Sequence, residues 1–211
     1  YGVSFGGGFG ADEKNVTMNI FQLSQGGLTL GQKDYYVNND EATVAIREAF
    51  KKYIADMFKL YGFSAEQAEV KAQAVFQHET MLALISKSAT ELRNPQANYN
   101  KMTLKEFQSS YPNLHLEEMC NAEGIKSEFI QDMIVGQPAF MEGLDKITAA
   151  ESAATLKALM EWDVITSSAA YLTDEIRECN FDFFGKTMSG RKEDYPLWKR
   201  AVNQVQSQMG E

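Results

Sequence analysis

The spacing of apolar residues changes near residue 40. Before it, Val3, Phe5 and Phe9 stand among glycines, and the polar stretch Gly10-Ala11-Asp12-Glu13-Lys14-Asn15 leads into Val16, Met18, Ile20, Phe21 and Leu23. Two short apolar runs around a polar turn predict a β-hairpin, weakened by the glycines, which are poor inside strands. From Asp40 the period becomes helical. Ile46, Phe50, Tyr53, Ile54, Met57 and Tyr61 recur at steps of three and four and make one apolar stripe. Gly62 stands where a C-terminal glycine would end that helix. Ser64-Ala65-Glu66-Gln67 fits a capping box and opens a second helix with Val70, Ala74, Val75, Leu82 and Ile85 as its expected core face. Arg93-Asn94-Pro95 is its expected end, because proline disfavours helix in the preceding residue.

Shorter helices follow. Thr103-Leu104-Lys105-Glu106 is a second capping box, Tyr111-Pro112 a break, and Leu116 with Met119 one more short helix. Ile134-Val135-Gly136-Gln137-Pro138 reads as an extended link into a helix with Pro138 in its first turn. Thr148-Ala149-Ala150-Glu151 is expected to cap a long helix carrying Leu156, Leu159, Met160 and Val164, with helical pattern continuing through Tyr171 and Ile176. Phe181, Phe183 and Phe184 precede a polar loop, Gly185–Asp194, and Trp198 to Val205 starts the last helix. The predicted fold is mainly α: a multi-helix unit, helical over residues 40–211, with a small amino-terminal β-hairpin and loop over residues 1–37. No repeat, low-complexity tract or internal linker interrupts it.

Composition narrows the function classes. The chain has 211 residues, 44% of them hydrophobic, enough to bury a sizeable core. Its formal net charge of −9 argues against nucleic acid and against an anionic membrane surface. No apolar run is long enough to span a bilayer. The chain opens on Tyr1 rather than Met, and both ends read as cuts in a longer polypeptide.

Candidate chemistry fails in a consistent way. His78-Glu79 invites a zinc reading, but the zinc-protease helix needs a second histidine four residues on, and Leu82 stands there. The other histidine is His115. Glu128–Asp132 and Glu178–Asp182 match the spacing of a third-ligand helix, a pattern weak in so acidic a chain. Cys120 and Cys179 fit no zinc spacing; both read as buried thiols, with a disulfide between them left open by the sequence. A cysteine hydrolase using Cys120 and His115 remains a third reading. Gly6-Gly7-Gly8-Phe9-Gly10 lacks the Lys-Ser/Thr of a phosphate loop. Asn15-Val16-Thr17 is a formal glycosylation acceptor, and Glu117-Glu118 and Glu193-Asp194 read as solvated carboxylates. No residue is therefore assigned a catalytic, cofactor-binding or metal-ligating role.

Three blocks resemble the neprilysin family, which includes the endothelin-converting enzymes and bacterial oligopeptidase O. The first is Gln25-Gly26-Gly27-Leu28-Thr29-Leu30-Gly31-Gln32-Lys33-Asp34-Tyr35-Tyr36, with Gly31 for the usual proline and Lys33 for the usual arginine. The second is Glu91-Leu92-Arg93-Asn94-Pro95 with Tyr99-Asn100 and Met102-Thr103. The third is Phe181-Asp182-Phe183-Phe184-Gly185-Lys186, Ser189-Gly190 and Pro196-Leu197-Trp198-Lys199-Arg200, with Leu197 departing from the family's Pro-Arg-Trp. Trp162 fits the helix before it. The blocks fall in family order across nearly the whole chain.

The resemblance implies the amino-terminal helical lobe of a zinc metalloendopeptidase. The implied parent carries its zinc, its HExxH and ExxxD helices and its substrate-gripping strand further along. The implied partners are that catalytic zinc lobe and a peptide substrate in the cavity between the lobes. The implied setting is bacterial and extracytoplasmic, in the periplasm or cell envelope. The competing expectation is a helical protein-interaction module unrelated to proteolysis.

Overall fold

The computed structural model describes residues 4–210, and the hairpin residue Val3 lies outside them. β1 (Phe5–Asp12) and β2 (Asn15–Gln25) pair antiparallel. Their turn is closed by Asp12, whose Oδ1 accepts from the Lys14 amide at 2.8 Å. Packing explains one glycine of β1, Gly7. A Cβ at Gly7 would come within 2.9 Å of Leu23 Cδ2 and 3.0 Å of the Phe21 ring. Two further strands, β3 (Lys101–Thr103) and β4 (Asp132–Val135), extend the hairpin into a sheet of order β1-β2-β4-β3. β4 runs parallel to β2, with Phe21 opposite Met133 and Leu23 opposite Val135, and antiparallel to β3. Sequence pattern gave only the hairpin and an extended link at Ile134–Pro138. Strands this short carry no readable alternation, and their partners lie far away along the chain.

Helices make up most of the rest. α1 (Asp34–Val37) leads to α2 (Glu41–Leu60), capped by Asp40, whose Oδ1 accepts from the Thr43 amide at 2.9 Å. The capping box at Ser64 and Gln67 opens α3 (Ala65–Ile85) with both reciprocal bonds made. α3 stops at Ile85, well before Arg93-Asn94-Pro95. Asn94 instead caps the short α4 (Pro95–Asn98). α5 (Leu104–Ser110) starts from the Thr103–Glu106 box, and α6 (Leu116–Ala122) follows. α7 (Pro138–Ala150) begins on Pro138.

Three expectations need correction beyond that point. Thr148–Glu151 does not cap a helix: it closes α7, and Ser152 caps α8 (Ala153–Ser168) by accepting from the Thr155 amide at 3.1 Å. Leu159, Trp162 and Ile165 point inward, while Met160 and Val164 are exposed. The helix expected through Ile176 breaks at Ala169–Tyr171, and Thr173 caps a new one, α9 (Asp174–Asn180). A π-helical stretch, Phe181–Met188, takes in the phenylalanines and the start of the expected loop, and α10 (Leu197–Met209) ends the fold.

α3 is the central element, packed by α2, α7 and α8. Being covered on several sides, it buries Ala68, Ala72, Val75, His78, Glu79, Leu82 and Ala83. Val70, expected in the core, is 67% exposed. A helix enclosed this way has no single apolar stripe, so a one-face reading picks wrong positions. Two cores flank it. The first holds Phe50, Tyr53, Phe58, Trp162 and Phe183, with the Tyr53 and Phe183 rings stacked at 4.7 Å. The second holds Leu23, Phe107, Ile130, Met133 and Phe140. Val75 belongs to the first and Leu82 to the second, so His78 and Glu79 sit at the seam.

Candidate functional site

The seam holds two buried ionisable side chains, His78 and Glu79. Glu79 Oε1 accepts from Thr29 Oγ1 at 2.6 Å, and Oε2 accepts from the Thr29 amide at 3.1 Å and from the Tyr36 hydroxyl. Tyr36 Oη accepts in turn from the Leu30 amide at 3.2 Å, and Trp162 Nε1 donates to Thr29 Oγ1 at 3.4 Å. Burial pushes the Glu79 carboxyl above the usual carboxylate range, opposed by these donors. Burial and the neighbouring Glu79 also push the Tyr36 hydroxyl up.

This network anchors the loop that holds the first resemblance block. Gly31 has φ +78°, a conformation that the ring of a proline forbids. Lys33 Nζ donates to the Ser86 carbonyl at 2.7 Å, closing the C-terminus of α3. One carbonyl needs no bidentate fork, which explains why lysine serves at the usual arginine position. Gln25 ties the end of β2 to the same place, its amide exchanging two bonds of 2.9 Å with the Lys87 backbone.

Next to Glu79 along α3, His78 faces the other way. Its Nδ1 lies 2.6 Å from Glu151 Oε1 and its Nε2 3.3 Å from Ser4 Oγ. Ser4, His78 and Glu151 thus stand in the order of a hydrolytic relay. The cavity beside Ser4 is lined mainly by apolar side chains, among them Phe5, Leu156 and Leu159. Sequence reading missed Ser4 and Glu151, since each lies more than 70 positions from His78. Two cavities meet at this histidine. One of about 270 Å³ lies between Ser4, α7 and α8. Another of about 190 Å³ lies between Thr29, Glu79 and Trp162.

His78 and Glu79 do not fit a zinc ion. Both ring nitrogens and both carboxylate oxygens already have protein partners. Among the described residues, no three His, Cys, Asp or Glu side chains converge as metal ligands would. Glu128 lies in a 3₁₀ turn (Ser127–Ile130), and Asp132 starts β4, so the two share no α-helix. Glu178 is exposed, and Asp182 pairs with Lys186 at 2.6 Å. His115, at φ +46°, lies on the surface 3.8 Å from Glu118, while Cys120 is buried and burial raises its thiol. Gly6–Gly10 lies within β1, and Thr17 Oγ1 donates to Asn15 Oδ1 at 2.8 Å. Glu117 accepts from Gln108 at 2.6 Å. Asp194, read as solvated, instead pairs with Arg177 at 2.8 Å.

Comparison with known proteins gives a consistent result. The family described as "Peptidase family M13" matches residues 1–211. Neprilysin-2 of Drosophila melanogaster is 28% identical over 205 residues, 96% of this chain and 26% of that protein. Human endothelin-converting enzyme 1 is 24% identical over 203 residues, 95% of this chain and 26% of that protein. Zinc metalloprotease Zmp1 of Mycobacterium tuberculosis, solved in an open state, superposes with a TM-score of 0.92 at 26% identity, over 98% of this chain and 32% of its own. The chain therefore spans about a quarter of the length of the curated relatives it matches.

Proposed function

This chain belongs to peptidase family M13, and we propose that it forms a non-catalytic helical lobe of a larger zinc metalloendopeptidase. The observation that carries the reading is one of extent: the family match runs over residues 1–211, while the relatives are about four times longer. On this reading the metal, its ligands and the water it activates belong to the remaining polypeptide, and this chain performs no step of hydrolysis. That remainder is the chain's principal partner.

The lobe covers the active-site cavity and limits substrates to peptides of modest size. Its packing suits the task, because a central helix enclosed by α2, α7 and α8 makes a rigid wall rather than a flexible flap. The open state in which the mycobacterial relative has been solved supports a lobe that moves as a body to admit substrate. We place the full-length protein outside the cytoplasm, in keeping with the neprilysin resemblance.

Assay of the full-length protein tests this. Expected are cleavage of a short fluorogenic peptide, its loss on chelation, its return with zinc, and little cleavage of a long unfolded protein. A full-length protein that holds no metal contradicts the proposed chemistry. One that cleaves long and short substrates equally well contradicts the size-limiting role.

A further inference from the structure

We propose that the cavity between Ser4, α7 and α8 is a binding site for a small aromatic molecule that carries one N–H or O–H. Its volume is about 270 Å³, and its walls are mainly Phe5, Leu114, Leu144, Leu156 and Leu159. Apolar cavities of roughly 150 Å³ already take benzene. This one is large enough for a substituted ring.

The polar feature that selects the ligand is Glu151. Its side chain lines the cavity and is 6% exposed. Oε1 is occupied by His78 Nδ1, but Oε2 is buried without any hydrogen-bond partner. Native proteins seldom leave a buried acceptor unpaired. A water molecule there would want two to four polar partners, and two of the polar groups in the lining are engaged. His78 Nε2 lies against Ser4, and the Asn113 amide donates to Asp145 at 3.0 Å. A ring whose single donor reaches Oε2 satisfies the carboxylate and sets its other edges against a mainly apolar wall. Met160, half exposed, stands at the mouth. The inference does not depend on the peptidase reading.

Ligand-observed NMR titration of the full-length protein with p-cresol, indole and toluene tests it. Expected is binding of all three, with p-cresol and indole about tenfold tighter than toluene, the worth of one buried hydrogen bond. In Glu151→Gln, the amide oxygen stays on His78 and a donor replaces the acceptor. The preference for indole, whose N–H can only donate, should then vanish while toluene still binds. Should that variant misfold, Met160→Trp narrows the mouth and should weaken all three ligands. Equal affinity for p-cresol and toluene in the unaltered protein overturns the role of Glu151. Absence of binding by any of the three overturns the site, as does binding that Met160→Trp leaves untouched.

Discussion

Nδ1 of His78 lies 2.6 Å from Oε1 of Glu151, with the two side chains 3% and 6% exposed. The pair joins the centre of α3 to the joint between α7 and α8. Glu151 reaches it because α7 has just ended: the Glu151 amide donates to the Ile147 carbonyl, and its backbone has left the helical conformation. The side chain can therefore turn inward, where a residue inside a capping box would face solvent.

Removing Glu151 should expose what that contact contributes. Glu151→Ala leaves the Nδ1 hydrogen of His78 buried and unpaired, a loss of about 1–3 kcal/mol. Glu151→Gln keeps an acceptor at that position and should lose less. Urea unfolding of the two variants checks the order. Equal stability of Glu151→Ala and the parent would mean that the pair is not formed in solution.

Glu79 should make stability fall with rising pH. Its carboxyl is raised by burial, so the folded chain holds the proton more tightly than the unfolded one. The associated stability is complete below the ordinary carboxylate pKa and is lost as pH rises through the raised value. Glu79→Gln can keep its oxygen toward Tyr36 and the Thr29 amide and its nitrogen toward Thr29 Oγ1, which accepts as readily as it donates. Denaturation across a pH series should show a downward slope in the parent that Glu79→Gln flattens. An identical slope in both would contradict the assignment.

The enclosure of α3 predicts opposite outcomes at two valines. Val75 is fully buried, so Val75→Ala should destabilise by about 2 kcal/mol. Val70 is exposed, and Val70→Ala should stay within about 0.5 kcal/mol. Thermal melts of both distinguish this packing from one in which Val70 faces the core.

Both thiols should resist alkylation in the folded chain. Burial pushes Cys179 up to about 11 and raises Cys120 as well, which depletes the reactive thiolate. At mildly alkaline pH, iodoacetamide should label the unfolded chain much faster than the folded one. Fast labelling of Cys120 alone would revive a nucleophilic role beside His115.

Local chemistry was legible in the sequence, and long-range chemistry was not. The capping boxes at Ser64 and Thr103 and the proline start at Pro138 could be read because each signal lies within four residues. Thr148 and Ser152 show the limit, since both suit a cap and only tertiary packing decides between them. The parallel β2–β4 pair and the network of Tyr36 and Thr29 on Glu79 depend on contacts across most of the chain. Glu79 itself carried a misleading signal. Beside His78 it looks like half of a metal motif, yet its oxygens are held by Thr29 and Tyr36. Only the missing histidine at Leu82 hinted at that outcome.

Zinc analysis of the 211-residue chain decides whether this lobe is free of metal. After equilibration with zinc and exhaustive dialysis, far less than one zinc per chain is expected, with no change in His78→Ala. One tightly held zinc per chain, lost when His78 is replaced, would contradict it.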